Sequence, residues 1–411
     1  MWIAESPALV GDAKLGETER ERFLPTEYDA KGFAIDARGV ECRDLACPHC
    51  HLRIPSEALE RSTVYMSIVG APACGKSYYL AASTWSLRKL FPRRFRIDFL
   101  DADPEMNRKI QEYETRAFLG PQDEPVELDK TEVQGELYDA VRFEDGIVSY
   151  PKPFVFSLSP SRDHPNIDKV AKLSKLLCLY DNAGESFLPA RGADSATSPT
   201  TRHLGRSDCV FFLFDPTQDA RFRADFREYS SDPQLDETND AFRRSPARQD
   251  AVFEETIRRI RASKKMYAND RFEGLLVVVV SKLDVWKSEL PADDIRKDPI
   301  SVASYQGNDY CFLRGDKINR VSRALRTMLA RRAPEFVAAA EGFANEVVYI
   351  PVSATGCSPT IDEETKRRGF RPKDLNPIWI GVPLLYALAR FTKGLVPIRD
   401  AEPEVGEKFG G

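Results

Sequence analysis

From Thr63 onward, short apolar runs alternate with stretches whose apolar residues recur at helical spacing. Val64 to Val69 is a β-rich run that meets a glycine loop. Beyond it Leu80, Ala81, Thr84, Leu87 and Phe91 share one helical face until Pro92 stops them. Phe95 to Leu100, Phe154 to Leu158, Leu176 to Tyr180, Leu275 to Val280 and Val347 to Ile350 read as strands, and the wholly apolar Cys209 to Phe214 suits a buried parallel one. Helices are predicted near Glu105 to Phe118, around Val252, Ile257 and Ile260, over 317 to 340, and over Val382 to Phe391. Gly184 to Asp208, rich in Ser, Thr, Gly and Ala, reads as a mobile loop with one helical turn. This alternation predicts an α/β fold, a mostly parallel sheet with helices on both faces. Residues 1–60 lack sustained periodicity and form a separate N-terminal segment. Residues 61–400 form the α/β domain, with insertions at about 104–150, 216–250 and 285–315, and 401–411 reads as a disordered tail.

Composition narrows the function. Lys+Arg 59 against Asp+Glu 64 gives a net charge of -5, which argues against a general nucleic-acid-binding surface. The longest aliphatic run, Leu275 to Val280, falls far short of the roughly 20 apolar residues of a membrane span. The first residues, Met1 to Glu5, do not read as a secretory signal, and eight cysteines, three of them bunched, fit a reducing compartment. A cytoplasmic protein is expected.

The strongest chemical signal is Gly70-Ala71-Pro72-Ala73-Cys74-Gly75-Lys76-Ser77, which fits G-x-x-x-x-G-K-[ST] between a strand and a helix. Glycines let the backbone curl so that N–H groups point at phosphate oxygens, and the helix N-terminus favours the same negative charge. Gly70, Ala73, Cys74, Gly75, Lys76, Ser77 and Tyr78 are the expected contacts. Lys76 would reach the β- and γ-phosphates as a catalytic residue, and the Ser77 hydroxyl would take one Mg2+ position. Alkylation of Cys74 should block nucleotide binding.

Three further motifs follow in order. Leu176 to Gly184 is an apolar strand ending in D-x-x-G: Asp181 can hold Mg2+ through a water, and the Gly184 N–H can bond a γ-phosphate. Val277 to Asp284 is a buried strand running into S-K-x-D (Ser281, Lys282, Asp284). A carboxylate at 284 accepts from both N1–H and the exocyclic amine of guanine, whereas adenine would leave it unpaired. The Lys282 stem can lie over the base. Finally Ser353-Ala354 follows the strand Tyr349 to Val352, where its backbone amide can meet a guanine carbonyl. Taken singly, D-x-x-G also fits an ordinary turn, Asp284 also fits a helix cap, and Ser-Ala is uninformative; their order makes them useful.

With these motifs in place, the chain resembles the translation-factor-related (TRAFAC) class of P-loop GTPases from about Tyr65 to Thr392. The resemblance implies a Ras-like core, GTP/GDP and Mg2+ as ligands, and slow hydrolysis coupled to switch movement. The form V-G-x-P-x-x-G-K-S followed by Tyr-Leu, with upstream cysteines and large insertions, also looks like the bacterial double-GTPase proteins of conflict systems. A protein effector, a second GTPase or a second copy is the implied partner. Three departures stand out. Ser281 replaces the usual Asn or Thr. Glu185 follows Gly184 where many relatives carry the glutamine that orients water, and is the candidate catalytic base. The switch I threonine, Thr131 or Thr115, is not fixed by spacing, and Arg191 and Arg202 are only weak candidates for an arginine finger. Glu185 and the insertions motivate an alternative, a nucleotide-binding scaffold with little turnover. An ATP-dependent P-loop ATPase is the other, although no arginine sensor, acceptor lid or second acid after Asp181 is visible.

Upstream, Cys42, Cys47, Cys50 and His51 fall within ten residues, with Cys47-Pro48-His49-Cys50 forming C-x-x-C. Two thiolates around a tight turn suit one tetrahedral Zn2+, Cys42 can close a third corner, and His49 or His51 the fourth. Reduced thiols in a small hairpin are the plainer reading.

Overall fold

The computed structural model describes residues 1–128, 136–182, 184–187, 199–226, 230, 232, 235, 248–305, 308–361 and 368–400. Its centre is a seven-stranded sheet: β1 (Ser62–Gly70), β2 (Ile97–Asp101), β3 (Pro153–Pro160), β4 (Lys175–Asp181), β5 (Cys209–Phe214), β6 (Phe272–Val280) and β7 (Ala344–Pro351), in the order β2-β3-β4-β1-β5-β6-β7. Every residue of β5 and the last six of β6 are buried, as parallel strands covered on both faces require. Edge strand β2 instead alternates, burying Ile97 and Phe99 and exposing Asp98 and Leu100.

The sheet is mixed. β4, β1, β5, β6 and β7 run parallel, but β3 is antiparallel to both β2 and β4. Between β3 and β4 the chain makes only the turn Ile167–Lys169 and the short helix Val170–Leu173, too little for the helical crossover that a parallel return needs.

Two predicted helices end differently from expectation. The helix after the glycine loop, α1 (Lys76–Leu90), does not stop at Pro92. It continues as a π turn, Phe91–Phe95, and ends where Arg96 turns left-handed at φ 57°. The predicted helix over 317 to 340 is two, Gly315–Arg332 and Pro334–Phe343. Pro334 has no N–H to continue the ladder and forces Ala333 to φ -133°, ψ 58°, outside the helical region.

The insertion at 104–150 is more structured than its polarity suggests. Arg108–Glu114 continues into the π turn Thr115–Leu119, and Tyr138–Phe143 pairs with Gly146–Pro151 as a hairpin. The stretch near 285–315 contains another hairpin, Ile300–Tyr305 with Asn308–Arg314, joined in parallel by Ile398–Arg399. The first 54 residues form a four-stranded sheet (Arg22–Phe23, Trp2–Ile3, Leu45–Ala46, Arg53–Ile54) and two hairpins. Strands of two to five residues are too short to show a period in sequence. Among the described residues no helix is long and apolar enough to cross a membrane.

An aromatic cluster holds the carboxyl end of β5. The Phe336 ring lies 5.5 Å from Phe212, 4.8 Å from Phe214 and 5.0 Å from Phe253. Phe336→Ala is expected to lower unfolding free energy by about 3–5 kcal/mol in chemical denaturation. An unchanged midpoint would show that β5 is held by something else.

Candidate functional site

Strand register brings the predicted loops to one end of the sheet. Gly70 stands opposite Leu213, Asp181 opposite Ile68, and Val280 opposite both Phe214 and Pro351. The segments that follow β1, β4, β5, β6 and β7 therefore all leave from the carboxyl edge, where open α/β sheets form their crevice.

The 70–77 loop is a closed cradle. Gly75 caps α1 at φ 93° and Ala73 is also left-handed at φ 60°, so successive main-chain groups turn inward. At Gly70 a side chain has no room: an added Cβ would sit 2.8 Å from Cys74 Sγ and 2.9 Å from the Leu213 carbonyl oxygen. Lys76, only 7% exposed, donates from Nζ to the carbonyl oxygens of Gly70 and Ala71, both at 3.0 Å. A buried ammonium demands such partners. Cys74 is completely buried, and burial raises its thiol above the ordinary range. Alkylation at this position therefore requires the loop to open first.

The turn after β4 rests directly on that cradle. An added Cβ at Gly184 would meet Pro72 N at 2.6 Å and the Gly70 carbonyl oxygen at 2.9 Å, so only glycine permits this backbone-to-backbone approach. Asn182 reinforces it, donating from Nδ2 to the Ile68 carbonyl oxygen at 3.0 Å. Asp181 is 2% exposed at the strand end. Glu185 lies in the turn Gly184–Phe187, but its side chain, like Thr131 and Arg191, lies outside the described residues. Thr115 and Arg202 are both exposed.

At the other end, the S-K-x-D and Ser-Ala motifs meet. The Ser353 hydroxyl donates to Asp284 Oδ1 and accepts from Gly356 N at 2.8 Å. Burial pushes the Asp284 carboxyl above its ordinary value, against the lowering effect of the Ser353 hydroxyl. The Ser281 hydroxyl ties its loop to the Phe214 carbonyl oxygen at 3.3 Å. The Ser353 N–H is occupied by the Ile378 carbonyl oxygen at 3.0 Å, so of the pair it is the Ala354 amide that can face a ligand.

One participant escaped sequence reading. Asp215, wholly buried just past β5, lies with Oδ2 2.9 Å from Lys282 Nζ. Its Oδ1 accepts from Thr217 N at 2.9 Å and Thr217 Oγ1 at 2.6 Å. Gln218 then donates from Nε2 to the Pro72 carbonyl oxygen at 3.2 Å. The available signal was an acid at the end of a buried parallel strand, the same logic that selected Asp181.

The Tyr78 hydroxyl does not stand free: it bridges the Val126 carbonyl oxygen and Leu128 N, each at 3.1 Å, and so holds that segment. Nor do the four proposed Zn2+ ligands assemble: among the described residues no group of three or more His, Cys, Asp or Glu side chains is placed to share a metal ion. His51 Nδ1 is paired with Asp12 Oδ2 at 2.8 Å, and buried Cys42 faces Asp36 Oδ2 at 3.8 Å. Carboxylates elsewhere in the segment have taken two of the four side chains.

No family model matches the chain. A curated relative, described as a putative ESX-1 scaffolding and assembly protein, SaeC, from Mycolicibacterium smegmatis, is 24% identical over 186 residues, 44% of this chain. The match spans only 40% of that relative's length. Among solved structures, Aquifex aeolicus Era bound to GDP and tetrafluoroaluminate overlaps 72% of this chain and 53% of its own, at 11% identity and TM-score 0.23. The Methanococcus jannaschii FeoB G-domain overlaps 71% of this chain and 88% of its own, at 12% and 0.22. With TM-scores this low, strand order and site geometry stand on the chain's own contacts.

Iodoacetamide should label half-buried Cys47 well before Cys74, read by peptide mass spectrometry on the folded chain. Equal labelling would mean that the cradle opens readily.

Proposed function

We propose that this protein binds GTP with Mg2+ along the carboxyl edge of the sheet and hydrolyses it slowly as a molecular switch, on a Ras-like P-loop core. The observation that carries the reading is the placement of the half-buried Asp284, bonded to buried Ser353, in a loop joined, through Lys282, Asp215, Thr217 and Gln218, to the phosphate cradle. One small molecule can thereby be held by a triphosphate at one end and a base edge at the other.

At the base, Asp284 accepts two N–H donors that guanine has and adenine lacks, and the Ala354 amide meets the guanine carbonyl oxygen. At the phosphates, Lys76 exchanges its loop carbonyls for β- and γ-oxygens, while the N–H groups of the cradle and of Gly184 supply the remaining donors. Ser77 and, through a water, Asp181 are hard oxygen donors that fit Mg2+, which when bound neutralises charge on the phosphates. Loss of the γ-phosphate removes the ligand of the Gly184 N–H and releases the turn, a change for an effector, a second GTPase or a second copy to read. Glu185 is the base that positions water. A cytoplasmic location and a role in a bacterial conflict system belong to the same proposal and rest on the sequence motifs alone.

A second reading keeps nucleotide binding but assigns little turnover, making the protein a scaffold. Glu185 in place of glutamine and the partial likeness to a protein described as scaffolding and assembly favour it. Phosphate release by the purified chain, with and without candidate partners, separates the two.

GTP with Mg2+ at about 100 times its Kd should stabilise the fold by about 2.7 kcal/mol in thermal unfolding, and ATP at the same concentration far less. Equal stabilisation by ATP would overturn the role of Asp284. Lys76→Ala should abolish the effect, and Asp284→Asn should shift preference toward xanthine nucleotides.

The pH dependence has a definite sign. The folded Asp284 value lies above 3.8, so its contribution to stability is full below 3.8 and is lost as pH rises through the folded value. Guanine recognition needs the carboxylate, so affinity for GDP should rise across that same window and level off above it. In Asp284→Asn this rise should vanish; a binding profile identical to wild type would remove Asp284 from the site.

A further inference from the structure

Lys282 and Lys76 both belong to the candidate site, yet they are held differently. Lys76 is surrounded by neutral carbonyl oxygens, whereas Lys282 Nζ touches the Asp215 carboxylate at 2.9 Å and the Thr217 hydroxyl at 2.9 Å. The Lys282 backbone is left-handed at φ 56°, so its side chain leaves the loop in a direction that the distal ion pair then fixes. Asp215 itself is anchored on both its backbone and its carboxylate. Gln249 receives its N–H at 2.7 Å and donates to its carbonyl oxygen at 2.8 Å, and Thr217 N and Oγ1 both bind its Oδ1.

Building on the GTP-binding reading, we infer that Asp215 is the positioning residue for Lys282, holding its apolar stem where a purine base lies. Thr217 and Gln218 extend that constraint to the Pro72 carbonyl of the phosphate cradle. Neutralised by Asp215, the ammonium adds no charge at the base end, and the four-carbon stem is what the base meets. Asp215 touches no ligand in this arrangement and acts on the base through Lys282.

The test compares two probes on the full chain, GDP and inorganic tripolyphosphate, each with Mg2+, by calorimetric titration. Asp215→Asn retains the shape and an acceptor for Thr217 N but removes the charge. It should weaken GDP about tenfold or more, while tripolyphosphate stays within about twofold. On a Lys282→Met background, Asp215→Asn should cause no further loss of GDP affinity, because the two act as one unit. That double variant contains no buried unpaired charge and serves if Asp215→Asn alone fails to fold. Gln218→Ala should weaken both probes, since its amide holds the cradle.

Equal losses for GDP and tripolyphosphate in Asp215→Asn, or additive losses from Asp215→Asn and Lys282→Met, would overturn the inference. So would full tripolyphosphate binding by Gln218→Ala for its second half. Wild-type protein with no preference for GDP over ADP sinks the guanine reading and this inference with it. A clear GDP preference that Asp215→Asn leaves intact sinks only this inference.

Discussion

A buried ammonium must find oxygen, and at this edge of the sheet two lysines solve that problem in opposite ways. Lys76 takes main-chain carbonyls, which satisfy its hydrogen bonds but themselves bring no opposite charge. Lys282 takes a carboxylate and is neutralised. In the proposed function, the first arrangement offers a positive centre to an anion within a low-dielectric cradle, where its attraction is strong. The second keeps a side chain in place without adding charge. The proposed function builds on this contrast between charge at one end and shape at the other.

The division is possible because neighbouring parallel strands end together. β4, β1, β5 and β6 deliver Asp181, the cradle, Asp215 and the Ser281–Asp284 loop to one edge, each acid in a different surrounding. Asp181 lies beside the strand that feeds the cradle, Asp215 lies beneath a lysine, and Asp284 lies against a serine hydroxyl. Three carboxylates of the same chemistry thereby stand in three different environments. Their surroundings also differ in what they tolerate: the Asp215 pair leaves an uncompensated charge if either member is removed, while Asp284 already sits above its ordinary value through burial.

The N-terminal segment shows the reverse situation. Its cysteines have the spacing of a metal knuckle, but local carboxylates compete for the same neighbours. Asp12, 39 residues from His51 in sequence, holds the imidazole, and Asp36 faces Cys42 across its hairpin. A spacing pattern counts potential ligands and is blind to such rivals.

The sequence by itself determined the strands of the sheet, the cradle at 70–77 and the order of the motifs behind it, because those signals are local: apolar runs, glycine positions, and acids placed right after a strand. Even Pro334, which splits the predicted helix, was legible in the residues. The antiparallel course of β3 was not, since nothing within its apolar run records direction; the length and shape of the connection to β4 decide it. Nor could sequence show that Gly184 lies against Pro72, that Tyr78 turns toward Val126, or that Asp215 grips Lys282 across 67 positions. Those facts depend on register between neighbouring strands, and register is settled only when the whole sheet packs, because one face of each strand must meet whatever layer covers it.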